Sequence, residues 1–120
     1  MLVLRDLRAL FQVDDRQLRA LLARRTEDLL AEAGGDHELR DLVTFVVLGP
    51  GDSREALDAQ LGFPVLSHPV EVVEEHAGYY ELVFVVSDDG FGVEVFVPKE
   101  PGIPSDLLAM CTHYAIQSPE

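Results

Sequence analysis

Between Val70 and Val97 the chain carries three apolar, β-branched runs separated by two turn signals, and nothing else in the sequence limits the possible folds so strongly. Asp89-Gly90 is a two-residue type I′ hairpin signal, because both turn positions need a positive φ that these residues tolerate. With that loop Val86 faces Val93, Phe84 faces Val95 and Leu82 faces Val97, so one side of the hairpin is apolar throughout. The earlier turn admits two registers. A two-residue loop at Ala77-Gly78 sets Glu74 opposite Glu81, a like-charge pair that destabilises a sheet. A three-residue loop, His76-Ala77-Gly78 with Gly78 left-handed, avoids this and places Val72 beside Leu82 and Val70 beside Phe84. The second register is expected.

In that register the opposite side gathers Val73, Tyr79, Val83, Val85 and Phe96, with Glu71, Glu75, Glu81 and Glu94 interleaved. Such a face is too apolar for idle surface and too charged for ordinary core. It has the composition of a partner-binding surface in which apolar anchors supply affinity and carboxylates select a basic complement. The alternative is that a helix covers the apolar strip while the glutamates reach solvent at its edges.

The remaining elements follow from periodicity and caps. Leu4, Leu7, Leu10 and Phe11 recur at helical spacing, and Asp14, with Gln17 three residues on, caps a second helix that ends at Gly34-Gly35. Leu18, Leu21, Leu22, Leu29, Leu30 and Ala33 lie on one side of that helix, and Arg25 falls in the middle of the apolar stripe. An arginine there needs a carboxylate or a route to water. A helix break near Arg25-Thr26 or a snorkelling stem answers this; a buried ion pair or an interface anchor is the sharper alternative. Leu42 to Leu48 reads as a strand covered on both faces, closed by Gly49-Pro50-Gly51. Asp52 then caps a middle helix that stops at Gly62-Phe63-Pro64, and Ser105 caps a last helix with Leu107, Leu108, Cys111, Tyr114 and Ala115. The expectation is one acidic α+β domain over residues 1–120. Its sheet has about four strands, three of them the antiparallel meander of residues 70–97, with two N-terminal helices, one middle helix and one C-terminal helix packed on one face and at the ends.

Charge narrows the function. The chain carries 22 Asp+Glu against 9 Lys+Arg, a net of −13. Arg5, Arg8, Arg16, Arg19, Arg24 and Arg25 outnumber Asp6, Asp14 and Asp15 by three within the first 25 residues, so the rest sums to −16. That surface repels nucleic acid and anionic lipid and attracts basic partners, or simply keeps the protein soluble. The longest apolar run is far short of the ~20 residues of a membrane span, and the start lacks the basic segment of a secretory signal, which points to a soluble cytoplasmic protein.

Chemistry is sparse. Cys111 and His113 lie about 200° apart around a helix, so they cannot act as nucleophile and base, and Cys111 reads as a packed small hydrophobe. The Gly49-Pro50-Gly51-Asp52-Ser53 turn has the outline of a phosphate cradle without the Gly-Lys-Ser/Thr of a P-loop, and Asp52 would fill the anion position itself. Asp88-Asp89 suits a hairpin turn, no Cys/His cluster has zinc-site spacing, and His37, His68 and His76 fall in loops or turns. No catalytic residue, metal, cofactor, small-molecule substrate or converging polar pocket is foreseen.

Leu7 to Leu21 resembles a helix-turn-helix, with Leu7, Phe11, Val13, Leu18 and Leu21 near the motif's apolar places, although Arg8 replaces its small residue and Gln12 its glycine. The resemblance implies that Arg16, Gln17 and Arg19 lie early in a recognition helix. Three readings result. The first is a non-enzymatic acidic binding module (adaptor, chaperone or inhibitor-like) whose glutamate-rimmed sheet face engages a basic protein or a second copy of itself, with Arg16, Gln17, Arg19 and Arg25 as further interface or nucleic-acid contacts. The second is a DNA mimic, since acids two residues apart on a strand are ~7 Å from one another, near phosphate spacing, and Glu71, Glu75, Glu81, Glu94 and the Asp88-Asp89 tip could imitate a backbone. Small acidic inhibitors of bacterial nucleases and defence systems are similar in size and charge. The third is a DNA-binding regulator acting through residues 7–21.

Overall fold

Within the run expected as a strand over residues 42–48, Val43–Val47 forms a largely buried strand, and the other elements assemble around it; Leu42 ends a helical turn instead and Leu48 lies just beyond the strand. The computed structural model describes residues 1–34, 38–68, 70–76, 78–87 and 91–117, the last four by their backbone alone. In chain order come β1 (Leu2–Leu4), a 3₁₀ turn (Leu7–Gln12), α1 (Arg16–Ala33), the single turn α2 (Leu39–Leu42), β2 (Val43–Val47) and α3 (Arg54–Leu61). A second 3₁₀ turn (Val65–Ser67), β3 (Val70–Glu75), β4 (Tyr79–Val85), β5 (Gly92–Pro98) and α4 (Ser105–Gln117) follow. The fold is α+β, with a five-stranded mixed sheet in the order β1-β2-β5-β4-β3. Among the described residues only β2 and β5 run parallel.

Helices cover both faces of this sheet rather than one. Val46, Leu82, Phe84, Val93, Val95 and Val97 pack against Leu57 of α3 and Leu107 and Cys111 of α4. On the other face Val43, Phe45, Tyr79 and Phe96 meet Leu10, Val13 and the α1 stripe of Leu18, Leu21 and Leu22. The sheet has a fifth strand because Leu4, expected in a first helix, is buried on that second face as part of β1. What remains of the expected helix is the 3₁₀ turn. Asp15 rather than Asp14 caps α1, its Oδ1 accepting from the Gln17 and Leu18 amides at 2.9 and 3.1 Å. The helix continues unbroken through Arg25-Thr26 to Gly34. Ser53 rather than Asp52 caps α3, while Asp52 Oδ2 turns back to accept the Gly49 amide at 2.7 Å. Among the described residues no helix is long and apolar enough to cross a membrane.

Two registers differ from expectation. In the β4–β5 hairpin Leu82 faces Val95 and Phe84 faces Val93, two residues away from the predicted pairing, and the Val86 amide donates to the Phe91 carbonyl at 2.9 Å. The loop is therefore longer than two residues; Asp89-Gly90 itself lies outside the described residues. In the β3–β4 pair Val70 does face Phe84, but an irregularity between Val70 and Val72 absorbs one residue. Beyond it Val72 faces Val83 and Glu74 faces Glu81, the like-charge pair that sequence reasoning avoided.

Candidate functional site

The like-charge pair survives because other groups converge on it. Arg25 leaves the apolar stripe of α1 and crosses to β5, where its Nε and Nη2 donate to Glu94 Oε1 and Oε2 at 3.1 and 2.7 Å. Its Nε also lies 3.6 Å from Glu81 Oε2 on β4. Glu94 is 1% and Glu81 3% exposed. The other oxygen of Glu81 lies 3.0 Å from His76 Nε2, which is 3.8 Å from Glu74 Oε2. Loss of water pushes the Glu81 carboxyl above its ordinary range; the His76 hydrogen bond opposes this, Glu94 and Glu74 add to it, and Arg25 counters them. The Arg25 guanidinium is held charged, chiefly by its hydrogen bond to Glu94 against the cost of burial. This forked pair is the geometry for which arginine suits a buried carboxylate.

The predicted partner-binding face is thus largely internal. Tyr79, Glu81, Glu94 and Phe96 are buried, with Phe96 at 0% exposure in the core beneath α1. The helix stripe needed an apolar floor, and Arg25 supplied the cation that let two glutamates form part of it. Val73 turns to the opposite face, half-buried against the α4-side core, because the β3 irregularity reverses its side. Glu71 and Glu75 are exposed, and Glu75 receives Lys99 Nζ at 2.7 Å. Val83 is half-buried and Val85 is 42% exposed. Val72, which sequence reasoning placed on the other side, is 45% exposed and pairs with Val83. What remains open is therefore a small strip of Val72, Val83 and Val85 beside Glu74, of which Val72 and Val83 border α1.

The acids proposed as a phosphate-like row are divided in the same way. Glu81 and Glu94 are inside, Glu71 and Glu75 outside, and Asp88-Asp89 lies outside the described residues. The helix-turn-helix resemblance is not carried into the fold, because a 3₁₀ turn replaces the first helix and Phe11, which the motif would bury, is 81% exposed. Arg16 and Gln17 are exposed at the start of α1, and Arg19 Nε donates to the Val13 carbonyl at 2.8 Å.

A groove of about 310 Å³, which the sequence did not foresee, runs between α1 and β3, lined among others by Arg24, Arg25, Asp28, Val72, Glu74 and Glu81. Its central polar groups, Arg25 and Glu81, are engaged with neighbouring side chains rather than aimed into open space. Glu74, His76 and Glu81 place one oxygen or nitrogen each within 4.8 Å of one another, the one grouping among the described residues that could hold a metal. Cys111 is buried, which pushes its thiol up to about 11, too high for a ready nucleophile. Comparison with family models, curated proteins and solved structures finds no match to this chain.

Proposed function

We propose that this chain is an acidic, non-enzymatic binding module that takes a basic, extended segment of a partner protein along the β3 edge. The observation carrying the proposal is the open strip of Val72, Val83 and Val85 beside an edge strand that also bears the exposed Glu71, Glu74 and Glu75. An added strand would pair with the outer backbone of β3, lay its apolar side chains on the valines and direct its cations at the glutamates. The same glutamates repel the β3 edge of a second copy and offer nothing to an uncharged strand, so they select as well as attract. The excess of acids over the whole chain steers a basic partner toward this surface.

A peptide of alternating lysine and valine, titrated in the presence of a chelator, tests the proposal. The expected result is amide shifts concentrated in β3 and at Val85, affinity that falls with salt, loss of binding in Val85→Asp and weaker binding in Glu71→Lys. Both positions are exposed, so neither variant should unfold. Shifts confined to other surfaces, or binding indifferent to both substitutions, would overturn it.

A further inference from the structure

We propose that Glu74, His76 and Glu81 form a three-ligand site for a divalent cation of the zinc class. His76 Nε2 lies 3.0 Å from Glu81 Oε1 and 3.8 Å from Glu74 Oε2. Ligand atoms about 2.0–2.2 Å from a tetrahedral zinc stand roughly 3.4 Å apart; the three atoms here lie within 4.8 Å of one another, so the exposed Glu74 carboxylate would swing inward to close the set. One imidazole nitrogen with two carboxylate oxygens suits zinc and its transition-metal neighbours; magnesium and calcium favour oxygen alone. Three protein ligands leave a fourth position for water.

The surroundings point the same way. Glu74 and Glu81 are direct cross-strand partners, an arrangement that is unfavourable without a counter-charge. His76 is positioned by its amide, which donates to the Tyr79 carbonyl at 2.9 Å, and by its ring, which lies 5.0 Å from that of Tyr79. Glu81 divides its oxygens, Oε1 toward the proposed cation and Oε2 toward Arg25, so the ion pair and the metal do not compete for one atom. Glu74, Glu81 and Glu94 carry three negative charges, Arg25 offsets one, and the nearby Arg24 and Asp28 cancel. With a neutral imidazole the excess is two, the charge of the ion proposed. Bound there, the cation would turn a repulsive pair into a cross-link between β3 and β4.

The test uses the full chain, stripped with a chelator and titrated with zinc chloride alone by calorimetry and by thermal unfolding. The expected result is one ion per chain, a higher Tm with zinc, and no comparable effect of magnesium or calcium. His76→Gln and Glu74→Gln, both at accessible positions, should each lower zinc affinity by more than about tenfold, while His68→Gln leaves it unchanged. Cobalt used as a paramagnetic probe should broaden the His76 ring signals first. Absence of stoichiometric zinc binding, or binding that survives both substitutions, or binding lost equally in His68→Gln, would overturn the proposal; none of these outcomes bears on the peptide titration, which is run in chelator.

Discussion

At the scale of single residues Arg25 decides how the molecule is organised. It joins α1 to two strands that follow it by more than fifty residues in the chain, and it alone gives the buried Glu94 a forked partner among the described contacts. Removing one member of a buried pair leaves the other charged and unsatisfied, which costs about 3–5 kcal/mol. The guanidinium side chain keeps 28% exposure, so the lower end of that range applies. Arg25→Met is therefore expected to lose about 3 kcal/mol in urea denaturation, and Arg25→Met with Glu94→Met to recover most of it, because two apolar groups need no partner. A double variant as unstable as the single one would show that Glu94 is not what Arg25 serves. The anomaly was legible in the sequence, since an arginine in an apolar stripe and glutamates on an apolar strand each demand an explanation. That the two explain one another was not, because the sites are 69 residues apart and nothing local links them. Either anomaly taken alone suggests an external partner.

At the scale of elements, β2 and the three strands of the meander were readable, while β1 and the registers were not. Side chains alternate with a period of two, so the two-residue slip in the β4–β5 hairpin keeps Leu82, Phe84, Val93 and Val95 on one face and leaves the apolar pattern unchanged. The irregularity in β3 shifts by one instead, exchanging the faces of Val72 and Val73, and no glycine marks it. Leu4, Leu7, Leu10 and Phe11 match a helical period by coincidence, as the strand, the 3₁₀ turn and the exposure of Phe11 make plain. The loops, by contrast, carry visible glycines with definite duties. Gly102 has φ +98, its carbonyl accepts the Gly51 amide at 2.8 Å, and a Cβ there would meet Pro50 Cβ at 2.8 Å. This contact joins the turn after β2 to the turn before α4. Gly62 has φ +84 as well, but open space around it. Gly62→Ala should therefore cost about 1 kcal/mol from backbone conformation alone, and Gly102→Ala about 2–3 kcal/mol because a clash is added. Equal losses in thermal or urea unfolding would mean that the Pro50 contact yields freely.

At the scale of the whole molecule two effects set how stability changes between about pH 5 and about pH 7, and they share a sign; the Asp52 carboxyl, lowered despite its burial by pairing with the N-terminal amine, acts in the opposite sense only at more acid pH. The net charge of −13 destabilises the compact state through self-repulsion, which weakens as pH falls toward the pI of about 4.5. Burial, together with Glu94 and Glu74 and against His76 and Arg25, raises the folded-state pKa of Glu81 above its ordinary 4.5. A raised folded pKa means that the folded protein holds its proton more tightly than the unfolded chain does. The resulting stability is complete below the unfolded pKa and is lost as pH rises through the folded one. Unfolding followed between about pH 7 and about pH 5 should thus show higher stability at the acid end, at low protein concentration because solubility falls near the pI. Salt separates the two contributions, since it screens exposed charge much more than a buried carboxylate. In high salt and chelator the remaining slope belongs to Glu81, and Glu81→Gln should flatten it while the low-salt slope from overall repulsion persists. If Glu81→Gln retained the full slope in high salt, the pH response would have to originate elsewhere, and the buried glutamate would be an electrostatically quiet part of the sheet rather than a strained one.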